Sequence, residues 1–120
     1  MKKTAWKKRI TEATKAAGTY RDYFVPVIET LAEILEKRDA AQDIFDNDGG
    51  LMLVEHTNKY GAVNVEQHPV VRLINDLNRD ALAYWRDLGL TPAGLKRIDE
   101  QSMKAKKRST LADALKELGG

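Results

Sequence analysis

Residues 68–92, HPVVRLINDLNRDALAYWRDLGLTP, decide how this chain is read. His68-Pro69 interrupts the preceding run and opens a helix. Proline suits the first helical turn, where its fixed φ is already right and its missing N–H would be unpaired anyway. Val70, Ile74, Leu77, Ala81, Tyr84 and Leu88 then alternate spacings of four and three. That is a seam for packing knobs into holes against another helix. Val71, Leu82 and Trp85 widen the stripe, so the helix can serve one intramolecular core or meet an adjacent subunit as well. Gly89 ends it, and Leu90-Thr91-Pro92 starts another, with Thr91 as N-cap and Pro92 at the first helical position.

Upstream lie two short β-prone runs, Leu51–Val54 and Ala62–Val65, around the Asn- and Gly-containing Thr57–Gly61. This predicts a hairpin that needs something to pack on. Before it, Tyr23–Asp46 carries a second long helical pattern. Val27, Leu31, Ile34, Ala41 and Phe45 form its stripe, widened by Phe24, Ile28, Leu35 and Ile44, and Pro26 is tolerable only near its start. Arg38 falls on the apolar side, within reach of a carboxylate on a neighbouring helix or subunit. Asp46–Gly50 ends the helix in turn-forming residues. Residues 3–17 predict a shorter helix with Trp6, Ile10, Ala13 and Ala17 on one side, stopped by Gly18. Its stripe is thin and calls for a partner surface. Beyond Pro92 a helix over about 93–105 is expected, followed by a last short amphipathic helix capped by Ser109 or Thr110 and carrying Leu111, Ala114, Leu115 and Leu118. The expected fold is mainly α: an antiparallel long-helix pair, a short β-hairpin between the helices, and short flanking helices. Three sections follow from it: a basic N-terminal helix or arm (1–18), a helical core with hairpin that serves oligomerisation (19–98), and a basic C-terminal helical tail (99–120).

A chain of 120 residues with 42% hydrophobic content supplies one compact core. With no cysteine there are no disulfides, thiolate metal sites or cysteine nucleophiles, which suits a cytosolic protein. No apolar stretch reaches the roughly 18 residues that span a membrane. The basic start MKKTAWKKR is not followed by a signal-type apolar segment. The net charge of +2 hides segregation: residues 1–18 carry +5, residues 19–50 carry −5 and residues 91–108 carry +4. Such blocks point to a polyanionic partner or to charge-matched protein contacts.

Little in the sequence points to catalysis. His56 and His68 lack the spacing of a metal or acid–base pair, and Gly49-Gly50 lacks the Lys-Ser/Thr of a phosphate loop. Ser102 and Ser109 are in no nucleophile-elbow context. No cofactor or metal site is expected, and the chain reads as a non-enzyme. Basic residues are the better lead, since Lys and Arg neutralise DNA phosphates and release counterions. The candidate DNA contacts are Lys2, Lys3, Lys7, Lys8 and Arg9 at one end and Lys104, Lys106, Lys107 and Arg108 at the other. Two other readings stand beside this one. The first is a protein–protein adaptor without direct DNA binding, whose basic ends dock on acidic helices. The second is a small helical transcription regulator, for which only Thr91–Ala105 could serve as a reading helix.

From Gly18 to Ile98 the chain resembles the P27 family of phage terminase small subunits. The residues that carry the likeness are Gly18-Thr19-Tyr20 leading into Leu31–Leu35, Gly49-Gly50, Asn58–Gly61, and His68-Pro69 where the family usually has Asn-Pro. Above all it is carried by Asp76-Leu77-Asn78 and the run Ala81–Lys96, a helix ending in Leu-Gly-Leu-Thr-Pro before a short basic helix. The resemblance implies a mainly helical, non-catalytic subunit that forms a homo-oligomeric ring. In the host cytoplasm it would recognise double-stranded viral DNA for packaging and present it to the large subunit, which owns the ATPase and nuclease. On that reading the long helices supply the neighbour contacts, through Leu31, Ile34, Arg38, Val70, Ile74, Leu77, Tyr84 and Trp85.

Overall fold

The computed structural model describes residues 1–119. In order they form α1 (Lys3–Ala17), a single 3-10 turn (Asp22–Phe24), α2 (Val25–Asn47), β1 (Leu53–Thr57), β2 (Val63–Gln67), α3 (Pro69–Asp87) and α4 (Pro92–Gly119). The fold is mainly helical, with α2 and α3 as the antiparallel pair and the hairpin between them, as the apolar periodicities require.

The core lies between α1, α2 and α3. Ile10, Ile28, Leu31, Ala32, Leu35, Ala81 and Leu88 are buried together, with Trp6, Phe24, Val27, Ile34, Tyr84 and Trp85 packed around them. Each of the larger aliphatic side chains contributes about 2 kcal/mol by leaving water. The α3 seam faces inward at Ile74, Ala81 and Leu88, while Val70, Leu77 and Tyr84 are half-buried along its edge. The partner surface that α1 needs is supplied by α2: Ile10 is 0% exposed, so α1 is a third wall of the core.

α3 starts at an unusual cap. His68 Nδ1 accepts from the Val70 N–H at 3.2 Å, and its Nε2 lies 2.9 Å from Asp48 Oδ2. A ring that accepts at Nδ1 carries its proton on Nε2 and donates it to Asp48. His68 thus does the work that asparagine does at an N-cap, and also ties the end of α2 to the start of α3. The strands are shifted toward higher numbers from the expected runs. Asn58 and Ala62 close the turn, with Asn58 N–H donating to Ala62 O at 2.9 Å and Asn58 Oδ1 accepting from Tyr60 and Ala62. That turn pairs Thr57 with Val63 and carries the register out to Leu53 and Gln67.

The junction between α3 and α4 is sterically tight. Gly89 has φ of +73°, and a Cβ there would sit 2.7 Å from Ile98 Cδ1. A Cβ on Gly94 would lie 2.1 Å from the Arg86 carbonyl oxygen. Both glycines are therefore demanded by close approach, and Gly89 by turn geometry as well. Thr91 Oγ1 accepts from the Gly94 N–H at 3.1 Å and caps α4 as expected. Where two helices were expected, however, α4 runs unbroken for 28 residues. A cap at Ser109 or Thr110 requires the preceding chain to leave the helix, and no Gly or Pro stands between Gly94 and Gly119 to make it do so. Residues 99–118 are exposed throughout, and the molecule is 87 Å along its longest axis.

Candidate nucleic-acid interface

The two basic blocks expected to meet phosphates occupy different environments. Lys3 and Lys7, one turn apart on α1, face Glu33 and Glu29, one turn apart on α2. The Lys3 Nζ–Glu33 distance is 3.0 Å and the Lys7 Nζ–Glu29 distance is 2.9 Å. The hydrogen bond to Glu33 raises the Lys3 pKa, and the hydrogen bond from Lys7 lowers that of Glu29. These two lysines are engaged inside the protomer. Lys2, Lys8 and Arg9 are exposed, and Arg9 lies over the Trp6 ring at 5.6 Å.

Trp6 is held from several sides. Its indole N–H donates to Asp39 Oδ2 at 2.8 Å, and the Arg38 guanidinium lies 5.5 Å from its ring centre. Asp39 also accepts from the Met1 amino group and from Arg38. Burial pushes the Asp39 carboxyl up, but these hydrogen bonds together outweigh it and hold its pKa below the ordinary value. Arg38 further reaches Asn78 on α3 at 3.5 Å, so its expected carboxylate partner is its own neighbour Asp39.

In α4 the situation is reversed. Lys104, Lys106, Lys107 and Arg108 are exposed and, among the described residues, form no ion pair. The fold does not bring the two blocks together. The start of α1 lies against Glu33, Glu36 and Asp39 in the middle of α2, whereas α4 leaves from the far end of α3. Helical spacing also divides the α4 cluster. Lys106 and Lys107 lie on other sides of the helix from Arg97, while Lys104 and Arg108, two and three turns beyond Arg97, return to its side.

Of the residues expected at a subunit interface, Leu31 is 0% and Ile74 is 9% exposed, and both are spent on the protomer core. Ile34, Arg38, Val70, Leu77, Tyr84 and Trp85 are half-buried and keep part of their surface. His56 is exposed on β1, paired with Asn64 and distant in role from the capping His68. Among the described residues, no group of three or more His, Cys, Asp or Glu is arranged to hold a metal ion, and no helix is long and apolar enough to cross a membrane.

A cleft of about 410 Å³ between the α1–α2 connection, the end of α3 and the first turns of α4 is lined by Arg21, Arg86 and Arg97. These residues are far apart in sequence, and of the three only Arg97 falls in a basic block, that of residues 91–108. Only the helix stop and start at Gly89–Pro92, which fold α4 back beside the end of α3, hinted that Arg86 and Arg97 would be neighbours.

Compared with known proteins, residues 3–105 match a family model described as "Phage terminase, small subunit". No curated protein matches, and no solved structure does.

Proposed function

The chain belongs to the phage terminase small-subunit family, and from that premise we propose that it is a non-catalytic DNA-packaging adaptor of the P27 type. It recognises double-stranded viral DNA in the host cytoplasm, assembles as a homo-oligomeric ring and presents the DNA to the large subunit. The three sections divide this work: α1 completes the protomer, the α2–α3 body carries the neighbour contacts through the half-buried Ile34, Arg38, Val70, Leu77, Tyr84 and Trp85, and α4 carries the DNA contacts.

The observation that carries this reading is the unpaired basic cluster Lys104–Arg108, exposed on the outer stretch of α4. A protein interior would have matched such charge; a polyanion matches it from outside. The test is charge reversal of Lys106, Lys107 and Arg108 in the full chain, with duplex DNA binding followed by fluorescence anisotropy over a salt titration. Affinity should fall and the dependence on salt should flatten, by a slope of about 0.9 for each phosphate no longer neutralised. Wild-type affinity and slope would remove α4 from the DNA interface. Light scattering tests the ring: a monomer at all concentrations sinks it.

A second reading, docking of α4 on another protein, is favoured by Leu111, Leu115 and Leu118, which are 62%, 61% and 85% exposed. A variant that binds DNA normally but no longer associates with the large subunit would support it.

A further inference from the structure

We infer that the cleft lined by Arg21, Arg86 and Arg97 is a phosphate-binding site that seats the sugar–phosphate backbone of duplex DNA; this rests on the DNA-binding reading above.

Three guanidinium-bearing residues line one cleft from three separate elements: Arg21 before the 3-10 turn, Arg86 in the last turn of α3, and Arg97 in the second turn of α4. Like charges gathered around one cleft repel unless something anionic lies among them. The cleft's own supply is small. Asp87 approaches Arg97 at 3.6 Å, with both side chains 63% exposed. Such an open pair is worth little and is easily exchanged for another anion. Arg21 spends one donor on the Tyr20 carbonyl at 2.7 Å, which leaves the rest of its fork free. Arg86 forms no ion pair among the described residues. Gln101 and Ser102 add neutral donors to the same wall.

The arginine positions are also held firmly. Gly89 lets Thr19 and the α4 residue Ile98 close on the α3–α4 connection, and Gly94 lets α4 press against the Arg86 backbone, at distances that admit no side chain. Arg86 and Arg97 are thus fixed across a rigid junction, which favours the planar, two-donor grip that arginine offers phosphate. The preference for a nucleic-acid backbone over an acidic peptide comes from what lies beyond the cleft. Lys104 and Arg108 follow Arg97 by two and three turns of an exposed helix, each within about 20° of the same side and about 10 and 16 Å further on. Charge continued along a line suits a polyanion that runs past the cleft better than a single carboxylate seated in it.

The test uses the full chain with Arg21→Gln and Arg97→Gln combined, and duplex DNA binding by anisotropy over a salt titration. We expect at least a tenfold loss of affinity at low salt and a slope reduced by about 2, as two phosphates left without their arginines require. A double variant equal to wild type in affinity and slope overturns the cleft and leaves the DNA reading standing. A wild-type protein that does not bind duplex DNA overturns both. A double variant that keeps its DNA binding but loses binding to a polyglutamate peptide assigns the cleft to an acidic protein partner and overturns the proposal. Arginine modification of the unsubstituted protein gives a readout independent of variant folding. Duplex DNA should shield Arg21, Arg86 and Arg97 from phenylglyoxal, as read by mass spectrometry; undiminished reactivity at all three overturns the proposal.

Discussion

α1 and the outer half of α4 are both short of apolar surface and rich in lysine, yet they end in opposite circumstances. α1 lies along α2 with Ile10 fully buried, Lys3 and Lys7 paired to Glu33 and Glu29, and Trp6 hydrogen-bonded to Asp39. From Lys106 to Leu118, α4 is exposed throughout and packs on no other element among the described residues, so its basic and leucine side chains both face water. The difference is one of complementarity. The α2 surface offers a row of carboxylates in register with the α1 lysines, and among the described residues no other acidic row receives α4. Lys3 and Lys7 on the first element are therefore structural, whereas the basic charge on the last is available.

The contrast between the two helices rests most heavily on the buried anchor of α1, Ile10. Ile10→Ala should destabilise the protein by about 2–4 kcal/mol, through reduced burial and an unfilled cavity, as measured by urea denaturation. If stability were unchanged, α1 would be an arm like α4. Next is the junction from which α4 springs. Gly94→Ala places a methyl group against the Arg86 carbonyl and should cost about 1–3 kcal/mol of stability. It should also lower DNA affinity by displacing Arg97 from Arg86, whereas Lys96→Ala, two residues along, should leave stability unchanged in the same denaturation measurement.

A smaller effect is expected at Asp39. Its carboxyl has a pKa below the ordinary value in the folded chain, so it contributes stability above the unfolded pKa of about 3.9 and loses it as pH falls through the lower folded value. Asp39→Asn should therefore lower stability near neutral pH by about 1 kcal/mol and flatten the decline of stability below about pH 4. A variant that keeps the wild-type acid limb would show that the Asp39 negative charge adds nothing to stability. The smallest effect is predicted on α4 itself. Leu111→Ala with Leu115→Ala should change global stability by less than about 0.5 kcal/mol, because neither side chain is buried. A larger drop would mean that α4 is covered in solution.

Much of the fold is legible in the sequence, for identifiable reasons. The four-three spacing from Val70 to Leu88 and the stripe from Val27 to Phe45 mark two helices by periodicity, and Gly18, Pro69 and Thr91-Pro92 mark three helix ends by local chemistry. The strand positions differ from expectation because register is set by the Asn58–Ala62 turn, not by where the apolar residues begin. The continuity of α4 is hidden because Ser109 and Thr110 have the composition of a cap but not the surroundings of one. The lysine–glutamate pairing of α1 with α2 depends on how the two helices dock, which no single helix encodes. The arginine cleft is assembled from residues 21, 86 and 97, and only the fold makes them neighbours.

The tight seat of α4 turns that helix into a lever. Its 28 residues extend about 42 Å from the fulcrum at Thr91–Gly94. With no glycine or proline between Gly94 and Gly119 to act as a hinge, a tilt of about 10° at the base carries the far end through about 7 Å. Small changes in how Gly94 rests on the Arg86 carbonyl are thereby magnified at Leu118, and the reach of the basic side chains is governed from the opposite end of their own helix.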